Sequence, residues 1–507
     1  MKKVISLLLS LVLVAMIVLP ALAAEEECSC GFSPLIYVGP LGCADIVRDA
    51  GTENEQKLWK TDTGFLLSNA KNELGGLVKG ALLNNPDEFG DALIKFVNDS
   101  FGDLALDNDG NSKSNVIVEG LNVPSDGNHG INHSFYFNYD FRLDPYIHAE
   151  RLNEVIQQVK SLTKHSKVQL KASSMGGVVL AAYLEEYGRS DVEKIICQCC
   201  PLWGTAVAGE LFNGLVELNA DSLRQYAQDA LPYLDGGDFL QALLYSLTEA
   251  FRVTGVWDGI INLGNKLVED LGDRVFDECL IPIFGSMPGI WAFVPAEYYE
   301  GALSFMKIDK SSGLYEQIAR YRTAQSNVAD NLQKAMADGV RVYVFCGYDV
   351  QRTPLVTAWH NTSDGTVDTK YASLGATCAD DGSVLEDEYI SSLEDKKYVS
   401  PDKCIDASTC ALPDCTWFNK GWLHCNGQKA IDEFYNTLLQ SDEQLTVFSN
   451  EKYPQFLKND DHAETLTPVK GIQTMAERFK EAPSLLNFVK MIIEFFTVTI
   501  PGFFRFK

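Results

Sequence analysis

The sequence predicts an α/β fold, a mainly parallel central sheet covered by helices on both faces, with a helical cap inserted into it. Three observations carry this. Strand-like and helix-like segments alternate from residue 33 to about residue 200. Residues 205–335 break that rhythm with helical patterns too long for a simple crossover, such as DFLQALLYSLTEAFRVTG. The rhythm then returns at VRVYVFCGYD, Val340 to Asp349. Parallel neighbours need a crossover of a dozen residues or more, which a helix normally supplies, so alternation of this kind implies a parallel sheet.

The elements follow in order. MKKVISLLLSLVLVAMIVLPALA places two lysines before an apolar run and then Ala-Leu-Ala, the layout of a signal peptide over residues 1–23 cleaved near Ala23. An uncleaved anchor is the competing reading of the same run. Export to the medium or the cell surface is expected. The first part of the core spans residues 24–204 and opens with SPLIYVGPLG, a buried strand closing on a tight loop, Ser33 to Gly42. Residues 50–112 are mixed and partly helical, and the Asp107-Asn108-Asp109-Gly110 turn has too few spaced ligands for calcium. VIVEGL (Val116 to Leu121) and HSFYFNYDF (His133 to Phe141) read as strands. Between His148 and Leu162, apolar residues at 152, 155, 156, 159 and 162 mark an amphipathic helix. KVQLKASS is a strand followed at once by a helical run, and KIICQCC is a buried strand with cysteines serving as small hydrophobes. After the cap, residues 336–445 complete the core, with a cysteine-rich loop at 378–425 and a helix in NGQKAIDEFYNTLL. The extension 446–507 carries an amphipathic helix at 484–497, whose polar stripe is Asn487, Lys490, Glu494 and Thr497. So wide an apolar face either packs on the domain or lies on a membrane surface.

The net charge of −27 becomes about −29 without Lys2 and Lys3, which disfavours phosphate backbones and so excludes nucleic acid as a partner. All thirteen cysteines lie beyond the signal. Export permits disulfides, and Cys378, Cys404, Cys410, Cys415 and Cys425 are expected to bridge within their acidic loop. Their spacings are not the Cys-x-x-Cys kind that zinc favours. The sequence indicates no metal and no cofactor.

Chemistry concentrates in KASSMGGVVLAAYLEEYG, residues 171–188. A serine hydroxyl needs a base to take its proton and a position clear of the backbone. A G-x-S-x-G turn between strand and helix provides that position, because small flanking residues permit the strained turn and the helix N-terminus favours negative charge. Here the five residues are Ala172 to Gly176, with alanine in the first position and Ser174 as the candidate nucleophile. The partners should follow in the order acid, then histidine. His360, His424 and His462 come after Ser174. His424 lies between a loop and a helix, His462 sits in the polar NDDHAE, and His360 precedes the best acid, so His424 is the base. NTSDGTVDTKYASL offers Asp364 in a turn before Gly365, and Asp368 four residues on; Asp364 is the candidate acid. Oxyanion donors are expected at the Met175 N–H and, since Pro40 has none, at Leu41 in the first loop.

VQLKASSMGGVVLAAYL resembles the elbow of α/β-hydrolase lipases and acyltransferases. YDFRLDP before a long helix, FGSMPGIWAFVP, VYVFCGYDVQRTP and SDGTV resemble, in order, segments of the lecithin:cholesterol acyltransferase family. The resemblance spans roughly residues 33 to 440. It implies an α/β-hydrolase fold with a cap, a Ser174, Asp364 and His424 triad, and action on acyl esters, commonly lipids. The chain departs from the family in Ala172-Ser173, where Gly-His is usual, and in Gly39-Pro40, where Pro-Gly is usual. Three functions remain compatible with these residues: a serine ester hydrolase, an O-acyltransferase passing the acyl group to a lipid alcohol, and an inactive binding protein on the same fold.

Overall fold

The computed structural model describes residues 28–494 except 61–67, 120–123, 230–236, 353–354, 461–463 and short stretches within 70–84 and 473–483. The expected signal peptide, His462 and the end of the chain from 495 onward lie outside the described residues.

Long apolar runs such as LIYV, VEKIICQ and RVYVFCGY can only be satisfied in strands covered on both faces. They build an eight-stranded sheet. From one edge to the other it runs Thr465–Pro468 (β13), Phe456–Asp460 (β12), Thr416–Lys420 (β11), Arg341–Tyr348 (β8), Val192–Gln198 (β7), Val168–Ser173 (β6), Leu35–Val38 (β1) and Ser134–Phe137 (β5). Every pairing is parallel except β12 with β13. The class is therefore α/β with a mostly parallel central sheet.

Successive side chains leave the strands on opposite faces, which divides the core in two. Ile195 and Val344 pack on one side; Ile196 and Phe345 pack on the other. The first face is covered by Pro145–Thr163 (α2), Gly176–Tyr187 (α3) and Gly313–Ala337 (α8), with α3 between the other two. Asp144 caps α2 by accepting from the Tyr146 N–H at 2.9 Å, and Pro145 occupies the first turn where no N–H is needed. Helix α8, at the end of the 205–335 stretch, packs on α3 and delivers the chain to β8. The opposite face is covered by Lys429–Gln440 (α9), through Ile431, Phe434, Tyr435 and Leu438.

Outside this frame the elements differ from the sequence expectation in three places. VIVEGL does not join the central sheet: its strand, Val116–Val118 (β4), pairs antiparallel with Ile46–Arg48 (β2), which also pairs with Gln56–Trp59 (β3). Strands of three or four residues are too short to show a periodicity. Strands β12 and β13 likewise extend the sheet beyond residue 445. The third place is the cysteine-rich loop, whose cysteines are unbridged in the structure. Cys410 packs in the first core with Cys378 and Cys404 against it, Cys415 packs in the second, and Cys425 lies beside Cys199. The loop is held instead by the Thr377–Cys378 (β9) and Ile405–Asp406 (β10) pair and by polar bonds such as Tyr389 OH to Asp406 Oδ2 at 2.8 Å.

The insertion contains Ala206–Leu211 (α4), Ala220–Asp229 (α5), Gly237–Thr254 (α6) and Val256–Val275 (α7). Helices α5, α6 and α7 pack on one another, and α7 also meets Pro86–Phe101 (α1). The C-terminal helix Leu485–Glu494 (α10) packs against α6, with Lys490 Nζ 5.2 Å from the Tyr245 ring. Phe239, Leu243, Leu247 and Phe251 recur every fourth residue of α6 and stay exposed, as do Phe488 and Ile492 of α10. Among the described residues no helix is long and apolar enough to cross a membrane.

Candidate active site

The parallel register brings the C-terminal ends of β1, β6 and β7 to one edge. Val38 pairs with Ala172, and Ser173 with Gln198, so Gly39, Ser174 and Cys199 emerge together. Ligand sites in open α/β sheets form at this edge. Ser174 stands between β6 and α3 with φ of +49°, a left-handed conformation costly for any residue with a Cβ. The surroundings hold it there. Its N–H donates to Gln198 O at 2.9 Å, and its carbonyl accepts from the Gly177 N–H at 2.9 Å.

Two glycines make the tight passage possible. A Cβ on Gly176 would stand 2.3 Å from the Val38 carbonyl oxygen, and one on Gly177 would stand 2.4 Å from Cys200 Cβ. Since backbone cannot yield as a side chain tip can, Gly176→Ala is expected to cost at least about 1–3 kcal/mol of overpacking, read as a lower urea midpoint.

Asp364 and His424 approach from the next strands. Asp364 lies in the turn beyond β8, almost wholly buried; Gly347 of β8 admits it, because a Cβ there would meet Asp364 Cβ at 2.5 Å. Its Oδ1 accepts from the N–H groups of Thr366 at 3.0 Å and Val367 at 2.7 Å, leaving Oδ2 aimed at His424. His424 follows β11, and its N–H donates to the Asp364 carbonyl at 2.9 Å. The indole N–H of Trp422 bonds to Asn426 O at 2.8 Å and closes the loop around it. The result is one chain of contacts, His424 Nδ1 to Asp364 Oδ2 at 2.7 Å and His424 Nε2 to Ser174 Oγ at 2.8 Å.

The rival residues are occupied elsewhere. Ser173 is fully buried beside Tyr37. Asp368 pairs with the buried Arg352 at 3.2 Å, caps α4 through the Ala206 N–H at 2.8 Å, and accepts from Asn361 Nδ2 at 2.7 Å. His360 sits in a 3-10 turn, its carbonyl accepting from the Asp381 N–H.

The two proposed oxyanion donors flank the serine differently. Met175 follows it directly and is buried; Leu41 occupies the turn after β1, partly exposed, where the Cys43 N–H donates to Pro40 O at 3.2 Å. The Tyr139 hydroxyl donates to Gly39 O at 2.8 Å and so holds that loop against the elbow. The rest of the YDFRLDP stretch is a buried polar hub, in which Arg142 pairs with Asp140 at 2.7 Å and donates to Leu104 O at 3.1 Å.

Sequence reasoning missed the sulfurs beside the imidazole. Cys425 Sγ lies 3.9 Å from His424 Nε2, and Cys199 closes the group, with the three ligand atoms within 4.8 Å of one another. Adjacency of Cys425 to His424 was the one readable signal. The imidazole nitrogen is already engaged by Ser174. Burial acts to lower the His424 imidazolium, but the Asp364 carboxylate, then Cys425, outweigh it and push it above its ordinary 6.5. The Cys199 contact, against burial and with help from His424, holds the Cys425 thiol below its usual range.

An apolar cavity of about 310 Å³ opens beside the acid, lined by Thr366, Gly365, Leu211, Phe212, Phe284 and Ile290 among others. Its wall segment reaches the elbow, for a Cβ on Gly289 would stand 3.0 Å from Met175 Cε. Chemically, an imidazole held by a carboxylate can take the serine proton while the freed oxygen attacks an electrophilic carbon.

The chain thus combines a mostly parallel α/β sheet with a hydrogen-bonded serine, histidine and aspartate. No protein-family model and no curated protein matches its sequence. Among solved structures it is similar to a chain of the Tle4–Tli4 complex, with 11% identity, a TM-score of 0.26, and coverage of 64% of this chain and 76% of that one.

Proposed function

We propose that this protein is an exported serine ester hydrolase of the lipase and acyltransferase type, built on an α/β-hydrolase fold and released by cleavage near Ala23. The observation that carries the reading is His424, hydrogen-bonded at one nitrogen to Ser174 and at the other to Asp364. Ser174 Oγ attacks the ester carbonyl as its proton passes to His424 Nε2. His424 returns that proton to the leaving alkoxide, and water, deprotonated by the same nitrogen, then releases the carboxylic acid. Asp364 stays ionised and holds the imidazole in the tautomer that presents Nε2 to the serine. The N–H groups of Met175 and Leu41 receive the oxyanion.

Acyl esters of lipids are the substrate class. The apolar cavity beside Asp364 supplies room for a chain, and the exposed stripe on α6, with the exposed Phe488 and Ile492 of α10, supplies apolar side chains for a lipid surface. Purified protein should release fatty acid from a phospholipid or acylglycerol dispersion; activity on short soluble esters alone would remove the lipid reading. If a lipid alcohol offered with water collects the acyl group, the O-acyltransferase alternative holds.

The raised His424 value sets the pH dependence. Only the neutral imidazole accepts the serine proton, so kcat/KM falls as pH drops through the raised value, and the acid limb lies above about 6.5. Asp364→Asn should move that limb down as well as reduce the rate, and a pH–rate profile of both proteins checks the pair of effects.

A further inference from the structure

At the opposite end of the sheet, four soft ligands converge. Cys28, Cys30, His129 and His165 bring Sγ and ring nitrogen atoms within 4.8 Å of one another. His129 Nε2 lies 3.0 Å from His165 Nε2; Cys30 Sγ lies 3.2 Å from the first and 3.3 Å from the second, and Cys28 Sγ is 3.9 Å from His129 Nε2. Around a tetrahedral zinc ion, bonds of about 2.3 Å to sulfur and about 2.0–2.1 Å to nitrogen separate ligand atoms by about 3.3–3.8 Å. The observed edges bracket that range. A shared proton could reconcile two of these atoms, but not all four at once.

The backbone is arranged to bring the ligands here. The Cys28 N–H donates to Lys164 O at 2.9 Å, and Lys164, with φ of +58°, turns the chain after α2 so that His165 comes back beside it. Gly127 lies so close to α2 that a Cβ would stand 2.5 Å from the Leu162 carbonyl oxygen. Asp126 Oδ1 accepts from the Asn128 N–H at 2.9 Å, shaping the same loop. The Gly127 carbonyl lies 2.7 Å from His129 Nδ1, so Nδ1 carries the proton and Nε2 presents its lone pair to the centre. A carbonyl behind a histidine is the usual support of a metal-binding imidazole.

We infer that Cys28, Cys30, His129 and His165 form a structural zinc site. Two thiolates and two imidazoles suit zinc, and four protein ligands leave no open position for catalysis. The site lies far from the reaction edge: its ligands precede β1, β5 and β6, three neighbouring strands, at the ends opposite Ser174. Binding therefore staples the entry points of three strands, and each cysteine gives up a proton to bind as thiolate. Sequence spacing could not reveal it, because the ligands come from three separated segments.

The test uses the purified, reduced protein dialysed against excess zinc and then against buffer containing a weak chelator. One zinc per chain should remain, and the thermal midpoint should fall when a strong chelator removes it. Cobalt(II) in its place should give the intense visible bands of a tetrahedral site with sulfur-to-metal charge transfer. Cys30→Ser and His165→Asn should each lose the metal while keeping the far-ultraviolet circular dichroism of the parent, and Cys425→Ser should keep it. No retained zinc, a weak octahedral cobalt spectrum, or zinc lost from Cys425→Ser but kept by Cys30→Ser would each overturn the assignment. Should either ligand variant unfold, the stoichiometry and cobalt spectrum of the parent still decide the matter.

Discussion

Replacing Ser174 with alanine is expected to lower ester hydrolysis by at least about 10⁴-fold, the loss seen when a triad nucleophile is removed. The loss falls on chemistry. Ser174 keeps its Cβ in the variant, and its N–H and carbonyl bonds to Gln198 and Gly177 do not involve the side chain. The circular dichroism and urea midpoint should therefore stay close to those of the parent. Ser173→Ala is the matched control, because Ser173 is buried and stands outside the His424 contacts. It should retain most activity; a reversal of the two results would move the nucleophile by one residue.

The second large effect separates two aspartates four residues apart. Asp364→Asn should reduce kcat by about 10⁴-fold, because the amide favours the wrong imidazole tautomer while preserving shape. Asp368→Asn should act on the fold instead. It removes the charge facing the fully buried Arg352, and an unpaired buried charge costs about 3–5 kcal/mol. At a temperature where the Asp368 variant remains folded it should still turn over ester, since His424 keeps both its partners. Steady-state rates and denaturation curves on the two variants read these outcomes separately.

What could be read from the sequence follows from how local each signal is. VQLKA followed by SSMGG declares a strand, a turn and a helix within a dozen residues, so Ser174 was legible, and few histidines follow it. The choice between Asp364 and Asp368 rests on which way a turn faces, which only the contacts with Gly347 and Arg352 decide. Strands β2, β3, β12 and β13 are only three to five residues long, so neither alternation nor a long apolar run marks them. An acidic, cysteine-rich loop predicts bridges, and which of its cysteines lie near one another depends on packing: Cys410 enters one core and Cys415 the other as small hydrophobes. His129 and His165 are distant from Cys28 in sequence and meet it only through the turn at Lys164 and the bare backbone of Gly127.

Everything proposed for the site depends on Ser174 being a nucleophile activated by His424. An alkyl fluorophosphonate, which forms a stable ester with an activated serine, tests it directly when followed by peptide mass mapping. A single adduct on Ser174 is expected, lost in Ser174→Ala and strongly slowed in His424→Ala. An unmodified Ser174, or an adduct on Ser173, would contradict it.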